Sequence, residues 1–167
     1  MVILKEKICF SIVLYRENFE HSATFVSLLN SILSSKQNQN SKITILLFDN
    51  TPNQSNKNKS FHYKENVEVF YLTENQNMGL AHAYNVLVDK AKELKKEWIV
   101  LLDQDTSLPK DFYTSYIAID EFLMIHCPLV FSNKKLMSPS KYINYRSSRI
   151  QIPTSNQISS KNVSCIN

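Results

Sequence analysis

The chain has one glycine, three cysteines, four histidines and one tryptophan in 167 residues. The cysteines, Cys9, Cys127 and Cys165, are odd in number and far apart. They lack the paired spacing of a zinc or redox site and read as buried, reduced thiols. His21, His62, His82 and His126 are equally scattered, so neither a histidine metal site nor a histidine-based triad has support. No apolar run approaches the ~18 residues of a membrane span. The start, Met1 to Lys7, has too short an apolar stretch for a secretory signal and no small-residue cleavage site after it, so a cytoplasmic location is expected. Acidic residues stop at Glu121, whereas Lys134, Lys135, Lys141, Arg146, Arg149 and Lys161 all follow it. This basic C-terminal part could attract a diphosphate, an anionic membrane surface or nucleic acid, or be a solvated lysine-rich face. With no interleaved aromatics and no nucleic-acid signature, nucleic acid is not expected. Peripheral contact with the inner membrane surface remains open. No internal repeat is present.

What is there is an ordinary globular composition, 43% apolar and 20% charged with a formal net charge of +4. A chain of this length, read as one domain over 1–167, buries about 70% of the surface of its unfolded form. Strand and helix alternate. Ile8 to Tyr15 is an apolar, β-rich run, and Glu20 to Leu33 sets Phe25, Val26, Leu29, Ile32 and Leu33 on one helical face. Ile43 to Phe48 is a buried-strand pattern ending at Asp49-Asn50-Thr51-Pro52. The polar stretch Asn53 to Asn66 reads as a mobile loop. Val67 to Leu72 is a third strand, Ala81 to Leu94 a helix with Ala83, Val86, Leu87, Ala91 and Leu94 inward, and Trp98 to Leu102 a fourth strand. Pro109 to Ile125 reads as helix and Leu129 to Phe131 as a short strand. The remainder, 132–167, is irregular apart from a strand near Val163. Buried strands separated by helices predict an α/β fold, a mostly parallel sheet with helices on both faces.

The fourth strand ends in Asp103-Gln104-Asp105-Thr106. Ligands of an open α/β sheet collect at the C-terminal strand ends. Two carboxylates so close repel each other, and a cation between them and an anionic ligand relieves the repulsion. The plain alternative is a helix cap and a solvated turn ahead of Pro109. Asp49 ends a second strand and is expected on the same edge. Gly79 lies between a strand and its following helix, inside Asn77-Met78-Gly79-Leu80-Ala81, where a positive φ or a close approach to a ligand calls for glycine. An ordinary loop-to-helix turn is the alternative.

In order, Ser11-Ile12-Val13-Leu14-Tyr15-Arg16-Glu17, Asp49, Asn77-Met78-Gly79-Leu80-Ala81-His82-Ala83-Tyr84-Asn85 and Asp103-Gln104-Asp105 resemble the motifs of the GT-A fold, a Rossmann-like nucleotide-diphospho-sugar transferase fold. Within it they resemble the rhamnosyltransferase-like members of the inverting glycosyltransferase family two. The resemblance covers about residues 7–131. It implies that Leu14, Tyr15, Glu17, Asn77 and Gly79 surround a nucleotide sugar and that Asp49 hydrogen-bonds its pyrimidine. By the same resemblance Asp103 faces the ribose and, with Asp105, the Mg²⁺ or Mn²⁺ that holds the diphosphate of a dTDP- or UDP-sugar. The acceptor implied is a cell-surface glycan or a lipid-linked sugar.

The departures are specific. Val13 and Leu14 stand where many members carry Pro-Thr, and Arg16 where many carry Asn. The general base of such enzymes comes from a second half, and no Asp or Glu follows Glu121. The expectation is therefore no catalytic base up to Asn167, residues 132–167 as the start of an acceptor region, and self-association through uncovered apolar surface. Two other readings stand beside this one. The first is a nucleotide-sugar-binding module without turnover. The second is a haloacid-dehalogenase-like phosphatase with Asp103 as nucleophile, although Thr106 follows the second aspartate more closely than that motif requires.

Overall fold

In a computed structural model, residues 4–35, 41–53, 58–64, 66–118, 130–133, 135–138, 140–143 and 146–149 are described. The elements in chain order are α1 (Leu4–Lys7), β1 (Ile8–Leu14), α2 (Ala23–Ser34), β2 (Ile43–Asp49), β3 (Lys59–Lys64), β4 (Val67–Thr73), α3 (Leu80–Glu93), β5 (Trp98–Asp103) and α4 (Phe112–Ile117). Four short strands follow, β6 (Val130–Ser132), β7 (Lys135–Ser138), β8 (Ser140–Ile143) and β9 (Arg146–Arg149). They form two compact units, Met1–Ile119 and Asp120–Asn167. The second unit holds two antiparallel pairs, β6 with β7 and β8 with β9. The first holds a five-stranded sheet in the order β3-β4-β2-β1-β5. In it β1, β2, β4 and β5 run parallel, and β3 is antiparallel to β4.

The strands at the centre of the sheet are largely apolar because helices cover both faces. Every residue of β1 and β2 is buried. On one face Phe10, Ile12, Leu14, Ile45 and Leu47 meet Phe25, Leu28, Leu29 and Ile32 of α2 and Phe112, Tyr113 and Ile117 of α4. On the other, Cys9, Val13, Leu46 and Phe48 meet Ala83, Leu87 and Ala91 of α3. Ser22 caps α2, its hydroxyl accepting from the Phe25 amide at 3.3 Å. The Cys9 thiol is free, buried and pushed up to about 12 by that burial, so it is inert.

Four expectations change. The α2 stripe that meets the sheet is Phe25, Leu28, Leu29 and Ile32, so Val26 and Leu33 face outward at 42% and 49% exposure. Both stripes fit helical spacing, and the sheet selects one of them. The Asn53–Asn66 stretch is not all loop. It contains β3, whose Phe61 and Tyr63 alternate inward while lysines occupy the sheet edge, a common way to blunt an exposed strand. The helix expected over 109–125 is Phe112–Ile117 among the described residues, and 119–129 lie outside them. The segment after 132 carries β7, β8 and β9 rather than irregular chain, and the strand near Val163 falls outside the described residues, as do Cys127 and Cys165. Among the described residues no helix is long and apolar enough to cross a membrane.

Candidate functional site

From β1 the chain moves outward to β2 and β4, then returns to place β5 on the other side of β1. The strand order therefore reverses between β1 and β5, and in open α/β sheets the ligand crevice lies outside the carboxyl ends of the strands at that switch point. Those ends are Leu14-Tyr15 and Asp103-Gln104-Asp105, with Val13 paired to Asp103. The topology thus places the paired carboxylates at the switch point.

Asp103 and Asp105 are both exposed. Oδ1 of Asp103 accepts from the Tyr84 hydroxyl of α3 at 3.2 Å. The Tyr84 phenol is pushed up to about 12, first by burial and then by the charge and hydrogen bond of Asp103. The backbone of the acidic turn is bound from below. Ser22 Oγ donates to the Gln104 carbonyl at 2.7 Å, and the Thr24 amide reaches the same carbonyl at 3.2 Å. Thr24 Oγ1 accepts from the Thr106 amide at 2.8 Å and has the carbonyls of Asp103 and Thr106 as acceptors for its proton. The Gln104 side-chain amide pairs with the Tyr15 backbone, accepting from its N–H at 2.7 Å and donating to its carbonyl at 3.3 Å.

The other expected site residues lie on the same edge in different environments. Leu14 is fully buried and offers no side chain to a ligand. Its carbonyl accepts from the Asn50 amide at 2.8 Å. Tyr15 is 38% exposed, with the Arg16 guanidinium 5.1 Å from its ring centre. Arg16 has a φ of 55°, and its amide donates to Thr51 Oγ1 at 2.7 Å. Glu17 is half-buried just beyond. Asp49 is 2% exposed. Its Oδ1 accepts from the Thr51 amide at 2.9 Å and its Oδ2 from the Tyr71 hydroxyl, so as placed it braces the edge rather than facing the crevice. Asn77 Oδ1 accepts from the Gly79 amide at 2.9 Å, and Asn50 Oδ1 accepts from the Met78 amide at 3.0 Å. Gly79 has φ 81° and ψ 165°, a region essentially reserved for glycine, while none of the described residues comes within 4 Å of the position of a Cβ. Its conformation, not crowding, requires glycine. His82 Nε2 meets Glu74 at 2.9 Å, which latches this loop to the first turn of α3.

Asn50, Thr51, Tyr71, Tyr84, Ser22 and Thr24 were not singled out by sequence. They reach the site from the start of α2, the turn after β2, β4 and α3, and their roles there depend on contacts between elements rather than on a local pattern. Among the described residues no group of three or more His, Cys, Asp or Glu side chains forms a metal cage. The protein's contribution would be the two carboxylates, which fits an ion such as Mg²⁺ that takes one or two protein carboxylates and completes its shell with phosphate oxygens and water. Comparison with protein-family models, curated proteins and solved structures finds no match.

Proposed function

We propose that the edge formed by β1, β5 and the loop before α3 binds a nucleoside-diphosphate sugar through a divalent cation, as the donor half of an inverting glycosyltransferase of GT-A type. The observation that carries this reading is the pair of exposed aspartates at the strand-order switch point. Asp105 would hold the cation, with Asp103 beside it and toward the ribose. The cation supplies charge neutralisation of the leaving diphosphate. Tyr15, half-exposed at the end of β1, offers an aromatic face to the base. The Asn77–Gly79 loop offers a turn of backbone close to the crevice. The donor class proposed is a dTDP- or UDP-sugar, rhamnose included, and the acceptor a cell-surface or lipid-linked glycan. Work at the cytoplasmic face of the membrane, helped by the basic residues after Glu121, accords with such an acceptor.

Titration calorimetry tests the reading. UDP or dTDP binding should need Mn²⁺ or Mg²⁺, and Asp105→Ala should abolish that need. Metal-dependent affinity unchanged in Asp105→Ala would overturn the assignment of the cation to this pair.

A further inference from the structure

We propose that Thr24, with Gln104, is a positioning residue that presets the two carboxylates for the cation. The inference rests on the functional reading above and concerns residues that do not themselves touch the ion.

Thr24 is fully buried in the first turn of α2, 79 residues in sequence from Asp103. A hydroxyl has one proton and two lone pairs. The Thr24 hydroxyl spans both ends of the acidic turn, with Asp103 O and Thr106 O competing for its proton and the Thr106 amide donating to it at 2.8 Å. The Thr24 amide adds the Gln104 carbonyl at 3.2 Å. One residue thus binds the backbone of three of the four residues in the turn. Helix capping does not account for this, because Ser22 already accepts from the Phe25 amide as the cap of α2. The hydroxyl serves the turn, not the helix.

Gln104 fixes the other side. Its amide makes two bonds to the Tyr15 backbone across the β1–β5 switch point and so extends the ladder between those strands by one side chain. The middle residue of the acidic triplet is therefore turned to the protein, while Asp103 and Asp105 are exposed. Two carboxylates repel, and a free turn would let them separate. Mg²⁺ tolerates little deviation from octahedral geometry, so fixing the backbone that carries both acids before the ion arrives removes a cost from binding. Groups that orient metal ligands typically account for a factor of about 10 to 100 in metal affinity.

The test measures the Mn²⁺ concentration that half-saturates UDP binding, alongside urea denaturation without metal. The proteins are the full chain, Thr24→Val, Thr24→Ser and Gln104→Met. Thr24→Val keeps the shape and removes the hydroxyl, Thr24→Ser restores it, and Gln104→Met removes the amide from a half-exposed position where folding is safe. Thr24→Val and Gln104→Met should raise the Mn²⁺ requirement about 10- to 100-fold, and Thr24→Ser should stay close to the parent. A merely structural role would move the denaturation midpoint and leave the Mn²⁺ requirement alone. Should Thr24→Val fail to fold, Gln104→Met carries the decision. Parent binding that depends on Mn²⁺ with both variants unchanged overturns this inference alone. A parent that shows no metal-dependent binding overturns the functional reading and this inference with it.

Discussion

Asp49 and Asp103 each close a parallel strand on the same edge of one sheet, yet they live differently. Asp49 is 2% exposed, and each of its oxygens already accepts a hydrogen bond, from the Thr51 amide and the Tyr71 hydroxyl. Asp103 is exposed, its carboxylate accepting from Tyr84 at 3.2 Å, with a second exposed acid two residues on. A carboxylate whose oxygens are met by protein donors strengthens the fold. One left in water has oxygens free to meet a ligand. Position at a strand end does not decide between these roles. The donors that the register brings alongside do.

The sharpest way to break this contrast is to remove each acid in turn. Asp49→Ala takes the acceptor from two donors at a buried site and should cost about 2 to 4 kcal/mol of stability. Asp105→Ala, at an exposed position, should stay within about 0.5 kcal/mol of the parent. Urea denaturation followed by circular dichroism measures both. If Asp49→Ala left stability intact and instead erased discrimination between UDP and ADP, Asp49 would be facing the ligand and the contrast would fail.

A second comparison is between backbone conformation and contact. Among the described residues nothing lies within 4 Å of a Cβ at Gly79, which sits at φ 81°. Gly79→Ala should therefore cost about 1 to 2 kcal/mol, purely from backbone conformation. It should also disturb the Asn77 turn, which amide hydrogen exchange at Gly79 and Leu80 would read.

Tyr113 extends the series to a buried polar group. Its side chain is fully buried, and its hydroxyl finds no hydrogen-bond partner among the described residues. Tyr113→Phe removes the unmet donor and keeps the ring against Phe10. It should be neutral or stabilising by up to about 1 kcal/mol, since only an unsatisfied group is lost. A clear destabilisation would mean that the hydroxyl has a partner in solution.

The smallest effect is in pH. Tyr84 and Tyr113 are raised from 10.0 to about 12 in the folded protein, the first by burial and then Asp103, the second by burial. A folded pKa above the unfolded value means that their contribution to stability is complete below pH 10 and is lost as pH rises through about 12. Asp103→Asn removes the charge and weakens the hydrogen bond but leaves the burial, so Tyr84 should titrate lower than in the parent. Carbon NMR of labelled tyrosines separates it from the other phenols, and no movement of Tyr84 would show that Asp103 does not reach it.

Sequence alone revealed those parts of the fold where burial is two-sided. The largely apolar, β-branched runs of β1 and β2 read as buried strands, and the period of α3 is clean in Ala83, Leu87 and Ala91. It failed where the signal is one-sided or ambiguous. In β3 only Phe61 and Tyr63 turn inward from a lysine- and asparagine-rich stretch. In α2, Val26 and Leu33 satisfy helical spacing as well as Leu28 does. The acidic pair was legible because its position after a buried strand is local. The environment of Asp49 was not, because it depends on Tyr71, delivered by the β2–β4 register 22 residues later in sequence. Thr24 was hidden for the same reason. A threonine in a first helical turn is ordinary, and its link to the acidic turn exists only once α2 is laid against the sheet.

The central claim is that the exposed acids, not the buried one, hold a cation for a diphosphate. The most direct measurement is an anomalous difference map from crystals grown with MnCl₂ and UDP. The account predicts one strong manganese peak coordinated by Asp105, adjacent to Asp103 and the diphosphate, with Asp49 still bonded to Tyr71 and Thr51. Manganese on Asp49, or UDP bound with no manganese at the Asp103–Asp105 turn, would contradict it.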